Sequence, residues 1–183
     1  MTVRCAGAEC VVLDTSVFVN FAEADTLAAL AGFLGDRAVR TTEVQAELDR
    51  DGLRRKFPKL RQLDSLRWPG GDPYALNTPL LAELTGIKQV HRRGSEDLLA
   101  NLGEIATYLA ARELGGLGIV DDDLMKPYFV RRRMPRMSSA LVAAEMTASG
   151  HIDEIDGLRT YELATPFGIG EVEFRLAVAR FSS

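Results

Sequence analysis

The stretch Val11-Val12-Leu13-Asp14-Thr15-Ser16 constrains this chain more than any other. Three apolar residues, two of them β-branched, run straight into an acid and two hydroxyl residues. That is the pattern of a short strand buried on both faces, ending with a carboxylate at its C-terminal lip. Leu117-Gly118-Ile119-Val120 repeats the arrangement and runs into Asp121-Asp122-Asp123. In open parallel sheets ligands collect at that lip, so strands of this kind deliver acids from distant parts of the chain to one edge.

The segments around these strands read as helices. Phe18, Phe21 and Leu27 to Leu34 have helical apolar spacing that stops at Gly35. Ala38-Val39-Arg40 reads as a second strand, and Thr41-Thr42 as the cap of a helix, with Gln45 three residues after Thr42 as the far side of a capping box. That helix turns Val44 and Leu48 inward and sets Glu43 and Glu47 one turn apart on one face. From Phe57 to Pro79 six breakers loosen the pattern (Pro58, Pro69, Gly70-Gly71, Pro73, Pro79), and Leu63 to Trp68 reads as a third or edge strand. Asn77-Thr78-Pro79 opens a helix over 80–92 that Gly94 ends, with a restart at Ser95 or Asn101. The strongest helical signal runs from Asn101 through Ile105, Leu109 and Leu114 to Gly115-Gly116. Two more helices are expected at about 124–133 and 138–149, the second stopped by Gly150, and Glu171 to Phe181 alternates in places like a strand. Strands alternating with helices predict an α/β fold, a three-layer α/β/α sandwich with a central, mostly parallel sheet. Right-handed crossovers would place the strands' C-terminal ends on one edge.

With 183 residues, 46% of them hydrophobic, the chain reads as a single domain over 1–183, with a core at about 10–152 and a C-terminal extension over 157–183. The net charge of −4 argues against bulk attraction to nucleic acid but leaves room for a local basic face. Cys5 and Cys10 lack metal-ligand spacing and partnering histidines, and read as small buried or reduced thiols. No signal peptide and no membrane-spanning run is apparent, so a soluble protein of the cytoplasm is expected.

Carboxylates within about 4 Å of one another repel by roughly 4 kcal/mol per pair at an effective dielectric near 20. A fold keeps such a cluster only where something offsets the repulsion. Oxygen donors without cysteine or histidine suit Mg²⁺ or Mn²⁺ rather than zinc. Each acid also has a purely structural explanation. Asp14 and the Asp121–Asp123 run are placed to cap helices, Glu47 to sit on a solvated helix face, and Glu104 to close a capping box with Asn101.

The same residues resemble the PIN domain, the metal-dependent nuclease fold of toxins from bacterial toxin–antitoxin pairs. The resemblance rests on Val12-Leu13-Asp14-Thr15-Ser16 with Asn20 after it, on Thr41-Thr42 with Val44 and Glu47-Leu48, on Leu102-Gly103-Glu104-Ile105 with Tyr108-Leu109-Ala110, and on the strand that ends in the Asp run. It covers about residues 10–152 and is similar to the subgroup whose third acid belongs to a Gly-Glu pair. It implies that Asp14, Glu47 and Glu104 bind Mg²⁺ or Mn²⁺ together with one or two of Asp121, Asp122 and Asp123. Counting from Val120 favours Asp122 as the fourth acid. Thr15 or Ser16 would orient the first carboxylate or a metal-bound water. The activity implied is ribonuclease, with a cognate antitoxin and a homodimer as expected partners. A processing nuclease on DNA or stable RNA, and a PIN-like binding protein without turnover, are the competing readings. The proline-rich 57–79 loop and the extension past Asp156 depart from the family pattern.

Basic residues cluster at Arg54-Arg55-Lys56 with Lys59 and Arg61, at His91-Arg92-Arg93, and at Lys126 with Arg131-Arg132-Arg133 and Arg136. The last group follows the Asp run, and Lys126, Arg131, Arg132 and Arg133 are the candidate RNA-phosphate contacts, with a solvated helix face as the plain alternative. His91 and His151 read as surface residues.

Overall fold

The structure, a computed structural model, describes residues 5, 7–91, 101–165 and 170–182. Four strands, β1 (Val11–Leu13), β2 (Ala38–Val39), β3 (Leu117–Ile119) and β4 (Arg136–Met137), form one sheet in the order β2-β1-β3-β4. Every pair is parallel, with Val11 opposite Ala38 and Leu117, and Gly118 opposite Arg136.

The period of two in the strands divides the apolar residues between two clusters. Val11 and Leu13, with Leu117 and Ile119, face one side. There they pack on α1 (Thr15–Glu23), α2 (Leu27–Leu34), α3 (Thr42–Leu48), α9 (Ser139–Ala148), α10 (Glu154–Leu163) and α11 (Glu171–Ser182). Val12 and Val120 face the other side, against α6 (Thr78–His91), α7 (Leu102–Glu113) and α8 (Lys126–Arg132). This is the three-layer α/β/α arrangement expected from the alternation. At Gly118 the ring of Phe129 takes the place of a side chain, since a Cβ would fall 2.5 Å from its Cζ. Among the described residues no helix is long and apolar enough to cross a membrane.

Several local expectations are corrected. The helical spacing over Phe18 to Leu34 is broken between α1 and α2, where Asp25 takes a left-handed φ of 63°. The cap of α3 is Thr41, whose side chain accepts from Val44 N, so the capping-box frame shifts by one residue. Gln45 instead accepts from Arg40 Nε and donates to Asp49. Leu63 to Trp68 forms no strand. The chain goes through α4 (Asp51–Lys56), a 3₁₀ turn at Pro58–Arg61 and α5 (Gln62–Ser65), and then lays Trp68 over the open edge of β2. The Trp68 indole N–H donates to the Ala38 carbonyl at 3.3 Å and its ring meets Phe18 at a centroid distance of 5.0 Å. A side chain thus covers the edge that a strand would have occupied.

Glu171 to Phe181 is helical, because Phe174, Ala177 and Phe181 at helical spacing bury against the first cluster. Tyr161, Phe174, Ala177 and Phe181 of this C-terminal stretch therefore share the main core. Strand β4, two residues long, was not anticipated. Helix α6 begins at Thr78 with Leu80 N donating to Asn77 Oδ1 at 3.1 Å, as the Asn-Thr-Pro start implies. Arg92, Arg93, the stop at Gly94 and the restart at Ser95 lie outside the described residues.

Candidate functional site

Asp14 follows β1 directly, and its backbone N–H extends the sheet ladder to the Ile119 carbonyl at 3.1 Å. It stands at the cap position of α1 but makes no side-chain cap bond, so helix capping does not account for it. Ser16 Oγ donates to Asp14 Oδ2 at 3.0 Å, which makes Ser16 the hydroxyl that orients this carboxylate. Asp14 is only 3% exposed. Burial pushes its carboxyl up to about 7, opposed by the Thr15 N–H and the Ser16 hydroxyl and reinforced by the charges of Glu47 and Glu104.

Glu47 arrives from α3. Its Oε2 accepts from Thr15 Oγ1 at 2.5 Å, and its Oε1 accepts from Gly103 N at 3.0 Å. Glu47 therefore satisfies a free N–H at the start of α7 from outside that helix, a task Asn101 leaves undone. Asn101 has φ 62° and no side-chain cap bond, so the Asn101–Glu104 capping box does not form. Gly103 leaves the room this carboxylate occupies: a Cβ would fall 2.6 Å from Glu47 Oε2 and 2.9 Å from Thr15 Oγ1. The glycine of the Gly-Glu pair is thus explained by the carboxylate lying on it.

Glu104, one residue on, is 3% exposed. Its Oε1 accepts from Met125 N at 2.8 Å, anchoring the loop that carries the Asp run, while its Oε2 is buried without a hydrogen-bond partner. Burial pushes this carboxyl up to about 7. The Met125 N–H and Arg136 oppose the shift, and the charges of Asp122 and Asp123 add to it.

The three aspartates have different surroundings. Asp121 Oδ1 accepts from Ser139 N at 2.7 Å, and Oδ2 accepts from Ser139 Oγ at 2.6 Å and Asn20 Nδ2 at 2.9 Å. It ties β3 to the first turn of α9 and the second turn of α1, and burial holds its carboxyl above the ordinary range. The roles of Asn20 and Ser139 as its donors were not anticipated. Asp122 and Asp123 are exposed. Asp123 pairs with Lys126 Nζ at 3.4 Å, while Asp122 makes no hydrogen bond or ion pair among the described residues.

The acids therefore gather at the C-terminal edge of the sheet, where Asp14 feels Glu47 and Glu104, and Glu104 feels Asp122 and Asp123. They are not drawn up into a ready ligand set: among the described residues no group of three or more His, Cys, Asp or Glu side chains is arranged to hold a metal ion. The donor chemistry nevertheless suits a hard cation. All candidates are oxygens, and the buried, unpaired Oε2 of Glu104 carries a desolvation cost of roughly 1–3 kcal/mol or more that a cation would relieve.

The basic groups differ in their surroundings. Arg54 is spent on Asp49 and Asp64, and Lys59 on Asp25. Lys126 starts α8 beside the Asp run, whereas Arg131, Arg132 and Arg133 lie at its far end, exposed, about 9 Å further along the axis. His91 is exposed and shares a hydrogen bond with the Tyr128 hydroxyl at 2.9 Å.

Together these features define an open, all-parallel α/β protein with carboxylates from four chain segments at the ligand edge of its sheet. Compared with protein-family models, with curated proteins and with solved structures, the chain gives no match.

Proposed function

We propose that this chain is a Mg²⁺- or Mn²⁺-dependent ribonuclease of the PIN type, in which Asp14, Glu47, Glu104 and Asp122 hold the ion. The observation that carries the reading is the pair of buried acids at the sheet edge, Asp14 and Glu104, both raised toward neutrality, with one Glu104 oxygen left unpaired. A bound divalent ion would activate water and offset charge developing on a phosphodiester.

The protein's own side chains do the holding. Ser16 aims Asp14, and Thr15 with the Gly103 N–H fixes Glu47. The Met125 N–H leaves Glu104 one oxygen to offer. Asp122, exposed and unpaired among the described residues, supplies a fourth carboxylate that can swing toward the other three. Asp121 is engaged on both oxygens and serves the scaffold. On the family resemblance we further propose a toxin of the cytoplasm, neutralised by a cognate antitoxin that covers the acidic edge, acting as a homodimer.

The test is cleavage of single-stranded RNA with Mn²⁺, in wild type and in Asp14→Asn and Glu104→Gln. Each variant should lose more than the roughly 10–100-fold typical of residues that only support a metal ligand. It should also lose Mn²⁺ affinity by calorimetry while keeping its circular dichroism spectrum. Cleavage of duplex DNA or structured RNA in preference would favour the processing-nuclease reading. Absence of Mn²⁺ binding at millimolar concentration would leave a binding protein without turnover.

A further inference from the structure

Arg136 is a cation that β4 carries toward the acidic edge. It opens β4 opposite Gly118, and its Nη1 reaches the carbonyl of Val120, the last residue before the Asp run, at 3.4 Å. Its charge is felt by Glu104.

The guanidinium of Arg136 is little used. A guanidinium carries five N–H donors. The long bond to Val120 is the only hydrogen bond this side chain makes among the described residues, although it is partly buried, and it forms no ion pair there. Arg37, by comparison, donates to the carbonyls of Leu34, Cys5, Ala8 and Phe33, and Arg112 closes a two-pronged pair on Glu83. If Arg136 served only to balance the acids, the simple arrangement would be a direct pair with Glu104. Glu104 Oε2 instead stays unpartnered. A planar fork held beside carboxylates but not joined to them is suited to an anion brought from outside, and two oxygens of a phosphodiester match its geometry.

We propose that Arg136 is a phosphate-binding residue of this site, gripping non-bridging oxygens of the RNA phosphate that sits over the acids. Arg131, Arg132 and Arg133 lie at the opposite end of α8 from the Asp run. The inference rests on the ribonuclease reading for its substrate, but it concerns binding and is tested apart from turnover.

The experiment measures binding of a fluorescein-labelled single-stranded RNA oligonucleotide by anisotropy, with Ca²⁺ replacing Mn²⁺ to suppress cleavage. It is run on wild type, Arg136→Gln, Arg136→Lys and Arg132→Gln, with Mn²⁺ affinity measured separately on each. Arg136→Gln should bind RNA about tenfold or more weakly and show a salt-dependence slope shallower by about one, while Mn²⁺ binds as tightly as before or tighter. Arg136→Lys should recover only part of the loss, because an ammonium keeps the charge without the fork, and Arg132→Gln should stay within about threefold of wild type. RNA binding by Arg136→Gln equal to wild type would overturn the proposal, as would parallel loss of Mn²⁺ and RNA, which marks a merely structural role. Wild type that binds RNA through Arg136 yet never cleaves it would refute the hydrolase and keep the clamp. Wild type that binds no RNA would end both.

Discussion

Replacing Gly103 by alanine isolates the contact on which the candidate site turns. In an open helical position the change stabilises a protein by about 0.5–1 kcal/mol, because glycine costs backbone entropy. Gly86, in the middle of α6, is such a position: it is exposed, and a Cβ there meets nothing within 4 Å. At Gly103 the new methyl would fall 2.6 Å from Glu47 Oε2, 2.9 Å from Thr15 Oγ1 and 3.1 Å from Glu47 Cδ. The carboxylate has to withdraw, and with it go the bonds from Thr15 Oγ1 and Gly103 N. A hydrogen bond to a charged group is worth about 1.5–3 kcal/mol, so even one lost bond outweighs the alanine gain, and a net destabilisation of about 1–3 kcal/mol is expected for Gly103→Ala. In a domain of this size 1 kcal/mol moves the melting temperature by about 2–4 °C. Thermal unfolding in EDTA should therefore move in opposite directions for the two variants, up for Gly86→Ala and down for Gly103→Ala. Mn²⁺ affinity should fall only in the second. A Gly103→Ala protein as stable as wild type would mean that Glu47 does not rest on the start of α7, and the convergence of acids would lose its best-defined member.

The remaining expectations address the other acids. Asp14 and Glu104 hold their protons up to about 7 in the folded chain, whereas unfolded carboxyls release theirs near 4. The folded state thus binds more protons between about pH 4 and pH 7, and metal-free stability should fall across that window. The loss is on the order of a few kcal/mol, because each tenfold change in proton affinity is worth about 1.4 kcal/mol; denaturant midpoints in EDTA at pH 5.5 and 8 read it, and Asp14→Asn should flatten the dependence. A slope of the opposite sign would show that these acids are not buried together. Within the Asp run, Asp121→Ala strands the Ser139 N–H and the Asn20 amide, and should cost roughly 2–4 kcal/mol. Asp122→Ala should leave stability within about 0.5 kcal/mol and weaken Mn²⁺ binding. The reverse pattern in urea melts and calorimetry would make Asp121 the fourth ligand.

The parts of this fold legible in the sequence are those where one local pattern decides. Val11-Val12-Leu13 and Leu117 to Val120 are short β-branched or glycine-broken apolar runs that read as strands between two layers, and the acids after them had to reach the same edge once the two strands paired in parallel. What escaped is decided by partners far away in the chain. Strand β4 is two residues long and exists because β3 offers a ladder. Leu63 to Trp68 has strand-like composition, yet its tryptophan bonds to Ala38 while the preceding residues coil. Glu171 to Phe181 shows both periods, and the helical one wins because Phe174 and Phe181 find the first cluster. In the site, acid types and order were readable, but the second task of each was not. That Glu47 secures α7, that Glu104 secures the loop before α8, and that Asp121 secures α9 depends on three-dimensional neighbours no spacing rule supplies.

Those double duties bear on how such a protein can be silenced without being broken. Alanine at Glu47 or Glu104 removes a prop from the backbone along with the negative charge, so an inert result would not distinguish lost chemistry from a collapsed edge. Glutamine keeps a carbonyl oxygen for the Gly103 or Met125 N–H and gives up the charge and one acceptor oxygen. Amide isosteres are therefore the clean knockouts, and a lineage that abandoned the reaction while conserving its shape would be expected to drift toward Gln and Asn at these places.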